Sequence, residues 1–115
     1  DPGANLPNCA SNTQLGKNCA IRNIGNANGY RSYFTLMLPA GAKNLKLATR
    51  NGTGDVDLYV AADHWPVPGN ADYSSVKTGN AEDVSVASPL ANRWYYVTID
   101  AKGPYSGVSL SATYE

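Results

Sequence analysis

Two carboxylates at alternate positions, Asp55 and Asp57, are the side chains whose spacing most suggests chemistry. Asn51-Gly52 favours a tight turn before them, and the alternating residues that follow predict a strand up to Val60. Alternate side chains on a strand lie about 6 to 7 Å apart on one face. Such a pair could act in acid–base catalysis, but no second wall of a cleft is evident beside it. Carboxylates near glycine-rich turns suit Ca²⁺ better.

Two carboxylates are too few for a calcium ion, which takes six to eight oxygen ligands. Further oxygens would have to come from elsewhere in the chain: Asp1, Asn5, Asp72, Glu82 or Asp83. The alternative is that Asp55 caps the turn and Asp57 is a solvated strand residue. The sequence leaves both readings open.

Catalysis by this chain alone is not expected. It has one histidine, His64, which stands beside Trp65 in a proline-containing stretch that predicts a surface loop. Neither a Gly-x-Ser-x-Gly elbow nor a His-Glu-x-x-His helix is present in the sequence. We therefore expect His64 to be a solvent-exposed loop residue and assign no catalytic group.

Aromatic residues are the stronger functional candidates. The strand pattern predicts that Tyr59, Trp94 and Tyr96 point outward, and Trp65 lies on the predicted loop. Tyr and Trp combine a large apolar face with a hydrogen-bonding edge, which suits an amphipathic polymer. Ordinary packing between strands is the alternative for each of them. We predict a binding surface formed by these four residues.

Cys9 and Cys19 are the only cysteines. A close pair without nearby histidines supplies too few ligands for structural zinc, so a disulfide is the better interpretation. A disulfide indicates an oxidising, extracellular location. The first residues do not resemble a secretion signal, so for an exported protein we expect a signal that was removed or lies upstream.

Charge and length exclude several functions. The formal net charge is 0 without a run of Lys or Arg, so nucleic acid is not an expected partner. No apolar stretch approaches the roughly 20 residues that span a bilayer, so no membrane is expected either. A chain of 115 residues suits a single domain with one modest core, which we expect to be monomeric.

The periodicity predicts an all-β fold. No window sustains helical spacing, whereas alternation predicts strands at Tyr33–Leu38, Asn44–Arg50, Asp55–Ala61, Tyr73–Val76, Asp83–Ala87, Arg93–Asp100 and Gly107–Tyr114. In the aromatic strand, Tyr95, Val97 and Ile99 should face the core. About seven or eight short strands indicate an antiparallel β-sandwich. Residues 1–29 are predicted to be a linker or leading segment, and residues 30–115 the domain.

Several segments in order resemble a known family: Tyr33-Phe34-Thr35, Leu38-Pro39-Ala40-Gly41, the run from Gly52 to Val60, Trp94-Tyr95-Tyr96-Val97, and the run from Tyr105 to Leu110. They look like the bacterial pre-peptidase C-terminal domain. The resemblance implies a jelly-roll-like sandwich that follows the catalytic domains of secreted bacterial proteases, including metallopeptidases and collagenases. Related domains bind collagen and often calcium. The cysteine pair lies upstream of the matching region, unlike the mid-domain cysteines of many relatives, so no disulfide position is transferred from them.

This resemblance, taken with the aromatic residues, predicts a non-catalytic accessory domain of a secreted bacterial protease, in particular a collagenase. Its partners would be the parent catalytic domain and insoluble collagen or a similar protein substrate. One alternative is a domain that assists folding or secretion and is removed on maturation. Another is a carbohydrate-binding module, because aromatic surfaces on β-sandwiches also suit sugar rings.

Overall fold

The computed structural model describes residues 3–115, and within them all regular structure is β. The nine strands are β1 (Gln14–Leu15), β2 (Cys19–Asn26), β3 (Ser32–Leu38), β4 (Leu45–Arg50), β5 (Asp57–Ala62), β6 (Tyr73–Ser75), β7 (Glu82–Val86), β8 (Arg93–Asp100) and β9 (Tyr105–Thr113). The all-β prediction is confirmed. The structure shows no helix in this part of the chain that is long and apolar enough to cross a membrane.

Two sheets face each other. The five-stranded sheet has the order β1-β3-β8-β5-β6, and the four-stranded sheet has the order β2-β9-β4-β7. The strand pairs are antiparallel apart from β1 with β3. The predicted antiparallel β-sandwich is therefore confirmed, with the short pair of β1 and β3 as its parallel exception.

Strand β8 lies at the centre of the larger sheet, between β3 and β5. Its alternate residues Tyr95, Val97 and Ile99 are buried in the core, as the sequence predicts. The same core contains aliphatic residues of the four-stranded sheet, among them Leu47 and Leu110. Alternation of side chains along a strand thus places one half of β8 inside and leaves the other half for the outer surface.

The predicted boundary at residue 30 needs correction. The segment before it supplies β1 and β2, and β2 pairs with β9 while burying Ile21 and Ile24 in the core. A register shift lies between these two residues, where Asn23 has a φ of 59°. This irregularity breaks the period of two, which explains why the sequence pattern did not reveal β2. The predicted Cys9–Cys19 disulfide is confirmed.

The turn between β4 and β5 meets the start of β9 backbone to backbone at one end of the sandwich. Thr53, in the turn between β4 and β5, donates its N–H to the carbonyl of Ser106 (2.9 Å) and accepts the Ser106 N–H (3.2 Å). Gly52 and Gly54 flank this contact with positive φ angles of 74° and 109°. A Cβ on Gly54 would lie 2.6 Å from Cβ of Tyr105. Glycine is required here because the approaching chain leaves no space for a side chain.

Replacing Gly52 tests this contact. A Cβ at position 52 would collide with the carbonyl of Ser106 and would lie 2.6 Å from the carbonyl carbon of Gly107. Gly52→Ala should lower the free energy of unfolding by about 3 to 5 kcal/mol, which combines left-handed strain with overpacking. Urea unfolding measures the loss.

Gly69→Ala is the matched control. Gly69 has a similar φ of 84°, but an added Cβ would meet no atom within 4 Å. The substitution should cost only the conformational strain, about 1 to 2 kcal/mol. Equal losses for the two variants would contradict the role assigned to the turn contact.

Candidate functional site

The outer face of the five-stranded sheet carries the aromatic side chains. Pairing places Met37 opposite Trp94, Thr35 opposite Tyr96, and Tyr33 opposite Thr98. These residues alternate with the buried side of β3 and β8, so they project away from the core. Trp94 and Tyr96 are two positions apart on one face, about 7 Å along the strand.

Trp65 reaches this face from the connection between β5 and β6. Its ring centroid lies 5.2 Å from that of Tyr33 in an edge-to-face arrangement and 4.7 Å from that of Tyr96 in a tilted one. Both distances are within the range of favourable aromatic pairs. The four side chains Tyr33, Trp65, Trp94 and Tyr96 are called the aromatic ridge below.

Hydrogen bonds hold the Trp65 loop in place. The N–H of Ala62 donates to the Asp72 carboxylate (2.9 Å), and the N–H of Asp72 donates to the carbonyl of Val60 (3.0 Å). At the other end of the loop, the N–H of Asp63 donates to the carbonyl of Trp94 (3.0 Å). The Asp63 carboxylate accepts a hydrogen bond from the guanidinium of Arg93 (3.0 Å). The indole is therefore fixed over the sheet at both ends of its loop.

The aromatic ridge remains open to solvent. Tyr33, Trp65 and Trp94 are 50%, 44% and 40% exposed, while Tyr96 is partly buried beside Trp65. Three of the four predicted binding residues, Trp65, Trp94 and Tyr96, thus lie together on one surface. Large apolar groups that stay exposed in a cluster commonly mark a binding surface.

The structure corrects the prediction that Tyr59 is part of the binding surface. Tyr59 lies on the outer side of β5, opposite Thr98, but only 8% of it is exposed, so it offers no surface to a ligand. Tyr33, which is not among the residues predicted from the sequence, takes its place in the aromatic ridge. The alternation that puts Phe34 in the core could have identified it, because neighbouring residues on a strand face opposite ways.

The two aspartates have different environments. Asp55 is exposed and accepts the N–H of Gly79 (3.0 Å), which ties the turn before β5 to the loop before β7. Asp57 stands opposite Asp100 on β8, and Asp100 is paired with Arg31 at 2.8 Å. Burial, followed by the charges of Glu82, Asp55 and Asp100, raises the pKa of Asp57 to about 6. The surroundings of Asp57 therefore disfavour the charged form of this carboxylate.

The other predicted calcium ligands are dispersed. Asp72 anchors the Trp65 loop, and Asp83 pairs with Arg50 and Lys77. Glu82 is buried and accepts bonds from the Ser75 hydroxyl and the Lys77 N–H. Asn5 is exposed near the start of the chain, whereas Asp1 lies outside the described residues.

Residues 3–115 contain no cluster of three or more His, Cys, Asp or Glu side chains placed to hold a metal ion. The carboxylates therefore fit a shared calcium site poorly, and calcium binding stays a prediction. His64 lies 3.8 Å from Asp72 through Nε2, and its Nδ1 faces the Trp65 carbonyl at 3.3 Å. Among the described contacts of His64 there is no serine, so the geometry offers no catalytic triad.

Fold and surface together define a β-sandwich module with an aromatic outer face. Comparison with protein families then identifies it: the model of the bacterial pre-peptidase C-terminal domain matches residues 30–101, and the chain belongs to this family. The match begins at the residue predicted as the boundary, although the sandwich itself starts earlier. The domain is a non-catalytic accessory module.

Curated relatives are much longer proteases. The chain is 35% identical over 94 residues to the extracellular protease of Xanthomonas campestris and 31% identical over 110 residues to the neutral protease of Vibrio proteolyticus. These matches cover 82% and 96% of this chain but only 16% and 17% of the two proteases. The crystal structure of the pre-peptidase C-terminal domain of a Bacillus anthracis collagenase is similar in fold, with a TM-score of 0.63 at 18% identity, covering 96% of this chain and 99% of that one.

Asp57→Asn should stabilise the domain at neutral pH. The folded chain holds the Asp57 proton up to about pH 6, whereas the unfolded chain loses it near the ordinary value of 3.8. Stability from this group is therefore fully present below pH 3.8 and is lost as the pH rises through 6. After allowance for solvent screening, the variant should gain about 1 to 2 kcal/mol at pH 7.5.

Urea unfolding between pH 4 and 8 measures this gain, which should shrink towards pH 4. Asp83→Asn is the control with the same change of charge. Burial acts against ionisation of Asp83, but hydrogen bonds from Arg50 and Lys77 prevail and lower its pKa. Asp83→Asn should therefore lose stability at neutral pH, by less than about 1 kcal/mol for so exposed a pair. A pH-independent effect of Asp57→Asn would refute this assignment.

Melting with calcium or with a chelator tests the metal prediction. A ligand that binds only the folded chain raises its melting temperature. If the predicted site at Asp55 and Asp57 binds calcium, the melting temperature should be higher with calcium than with the chelator, and equal temperatures would contradict the prediction. A rise with calcium that disappears in Asp57→Asn would establish the site that the sequence predicts.

Proposed function

We propose that this domain tethers the catalytic domain of a secreted bacterial protease to an insoluble protein substrate, with collagen as the foremost candidate. The observation that carries the proposal is the aromatic ridge, in which the Trp65 indole packs against Tyr33 and Tyr96 with Trp94 two positions from Tyr96 on the same face. None of the four side chains belongs to the hydrophobic core.

The ridge is suited to a polypeptide partner. Its rings are already held in position by the sheet and by the anchored loop, so little side-chain freedom is lost on binding. Indole and phenol groups offer apolar faces for carbon-rich side chains and polar edges for backbone carbonyls. Residues of this kind contribute most of the binding energy at protein interfaces.

The relatives support the proposed context. They include a protease named as extracellular, and one solved neighbour is a domain of a collagenase. A disulfide in this chain agrees with an oxidising location. An attached binding domain raises the local concentration of a catalytic domain at an insoluble substrate, which needs no chemistry of its own.

Pull-down on insoluble collagen tests the proposal. The wild-type domain should bind, and Trp65→Ala, Trp94→Ala and Tyr96→Ala should each weaken binding by about tenfold or more, as expected for aromatic anchors at an interface. Leu90→Ala is the matched control, because Leu90 is an exposed apolar side chain (57%) outside the ridge. Melting curves of all variants separate loss of binding from loss of folding.

Each outcome has a clear meaning. Absence of wild-type binding would remove collagen as the ligand, and unchanged binding by the three variants would remove the ridge as the surface. Binding on a glycan array that depends on Trp65 would favour a carbohydrate-binding module instead. No affinity in either assay, together with poor export of the parent enzyme after deletion of the domain, would favour a role in folding or secretion.

A further inference from the structure

Residues 3–9, called the arm below, lie along the free edge of β2. Cys9 donates its N–H to the carbonyl of Ala20 and Ala20 donates its N–H to the carbonyl of Pro7, both at 2.9 Å. Asn8 and Ala20 thereby form a parallel bridge. The arm extends the four-stranded sheet by a short piece of chain, and Ala20 is completely buried.

Arg22 of β2 holds the arm through three hydrogen bonds. Its Nη1 donates to Oδ1 of Asn8 (2.5 Å), and its Nη2 donates to the carbonyls of Gly3 (2.7 Å) and Leu6 (2.9 Å). All three acceptors are neutral and all belong to the arm. The ion pairs among residues 3–115 use Arg31, Arg50 and Arg93 but not Arg22. The rigid, planar guanidinium of Arg22 therefore donates hydrogen bonds to three residues of the arm at once.

The disulfide restrains the other end of the arm, because Cys9 is its last residue and Cys19 opens β2. Arg22 and Ala20 alternate with the core residue Ile21, so both lie on the outer side of the four-stranded sheet. The aromatic ridge lies on the outer face of the other sheet. The arm and the ridge therefore occupy opposite layers of the sandwich.

We propose that the arm is a locked connector, which holds this domain in a fixed orientation relative to the domain that precedes it in the parent protease. The proposal rests on the proposed function, which supplies that preceding domain. In this arrangement the chain enters at the four-stranded sheet, and the ridge faces away from the entry point towards the polymer. A flexible linker would leave the two orientations uncorrelated.

Hydrogen exchange and ¹⁵N relaxation of this chain test the lock. In the wild type, the arm should be as rigid as the strands, and the Cys9 and Ala20 amides should be protected. Arg22→Ala should speed exchange of these two amides by about tenfold or more, the effect expected from losing hydrogen bonds to a charged group. Exchange in β8 should not change, which shows that the sandwich is intact.

Two variants serve as controls. Arg93→Ala removes an exposed ion pair with Asp63 and should leave the arm amides unchanged. Arg22→Lys keeps the charge without the fork, and its arm amides should exchange faster than those of the wild type. A mobile wild-type arm, or wild-type exchange rates in Arg22→Ala, would overturn the proposal.

X-ray scattering of the complete protease tests the orientation itself. Arg22→Ala should broaden the distribution of distances between the two domains, and an unchanged distribution would refute the connector. The outcomes separate the two proposals: a mobile arm with intact collagen binding refutes only the connector. A rigid arm with no collagen binding refutes only the tether.

Discussion

Strand β8 is hydrogen-bonded on both sides, by β3 and by β5, and the rest of the structure depends on this central position. Two fixed neighbours leave the strand no freedom to rotate, so its successive side chains must face opposite layers. Tyr95, Val97 and Ile99 complete the core, while Trp94 and Tyr96 are left outside. The same hydrogen bonds therefore provide both stability and a rigid base for the surface.

The Trp65 loop places an indole over the aromatic side chains of β3 and β8. Strands alone would present a flat row of rings, but the indole lies across two of them and remains exposed itself. Ion pairs and backbone hydrogen bonds hold the loop without burying the indole in the core. Under the proposed function, a partner that covers these rings would bury apolar surface that the fold itself leaves exposed.

Close backbone contacts join the layers at one end of the sandwich. The turn that carries Gly52 and Gly54 leads from the smaller sheet to the larger, and the turn before β9 leads back. Hydrogen bonds between Thr53 in the first of these turns and Ser106 at the start of β9 connect two segments that the family resemblance had picked out separately. In three dimensions these segments form one junction, which gives a physical reason for the glycines within them.

The sequence by itself determined the features that depend on local alternation and on simple chemistry. It predicted the all-β fold, the limits of β8 and its buried face, the exposure of Trp94, and the disulfide between the two cysteines. These follow from a period of two and from counting possible ligands, both of which are properties of neighbouring residues.

Only the tertiary structure decided which outward residues remain accessible and which segments join the sheets. Tyr59 has the right phase but is covered, and Trp65 reaches Tyr33 across a long separation in the sequence. Strand β2 escaped detection because the irregularity at Asn23 interrupts its period, and its burial comes from pairing with β9 at the other end of the chain. Exposure and pairing are set by residues distant in the sequence, so a local pattern does not contain them.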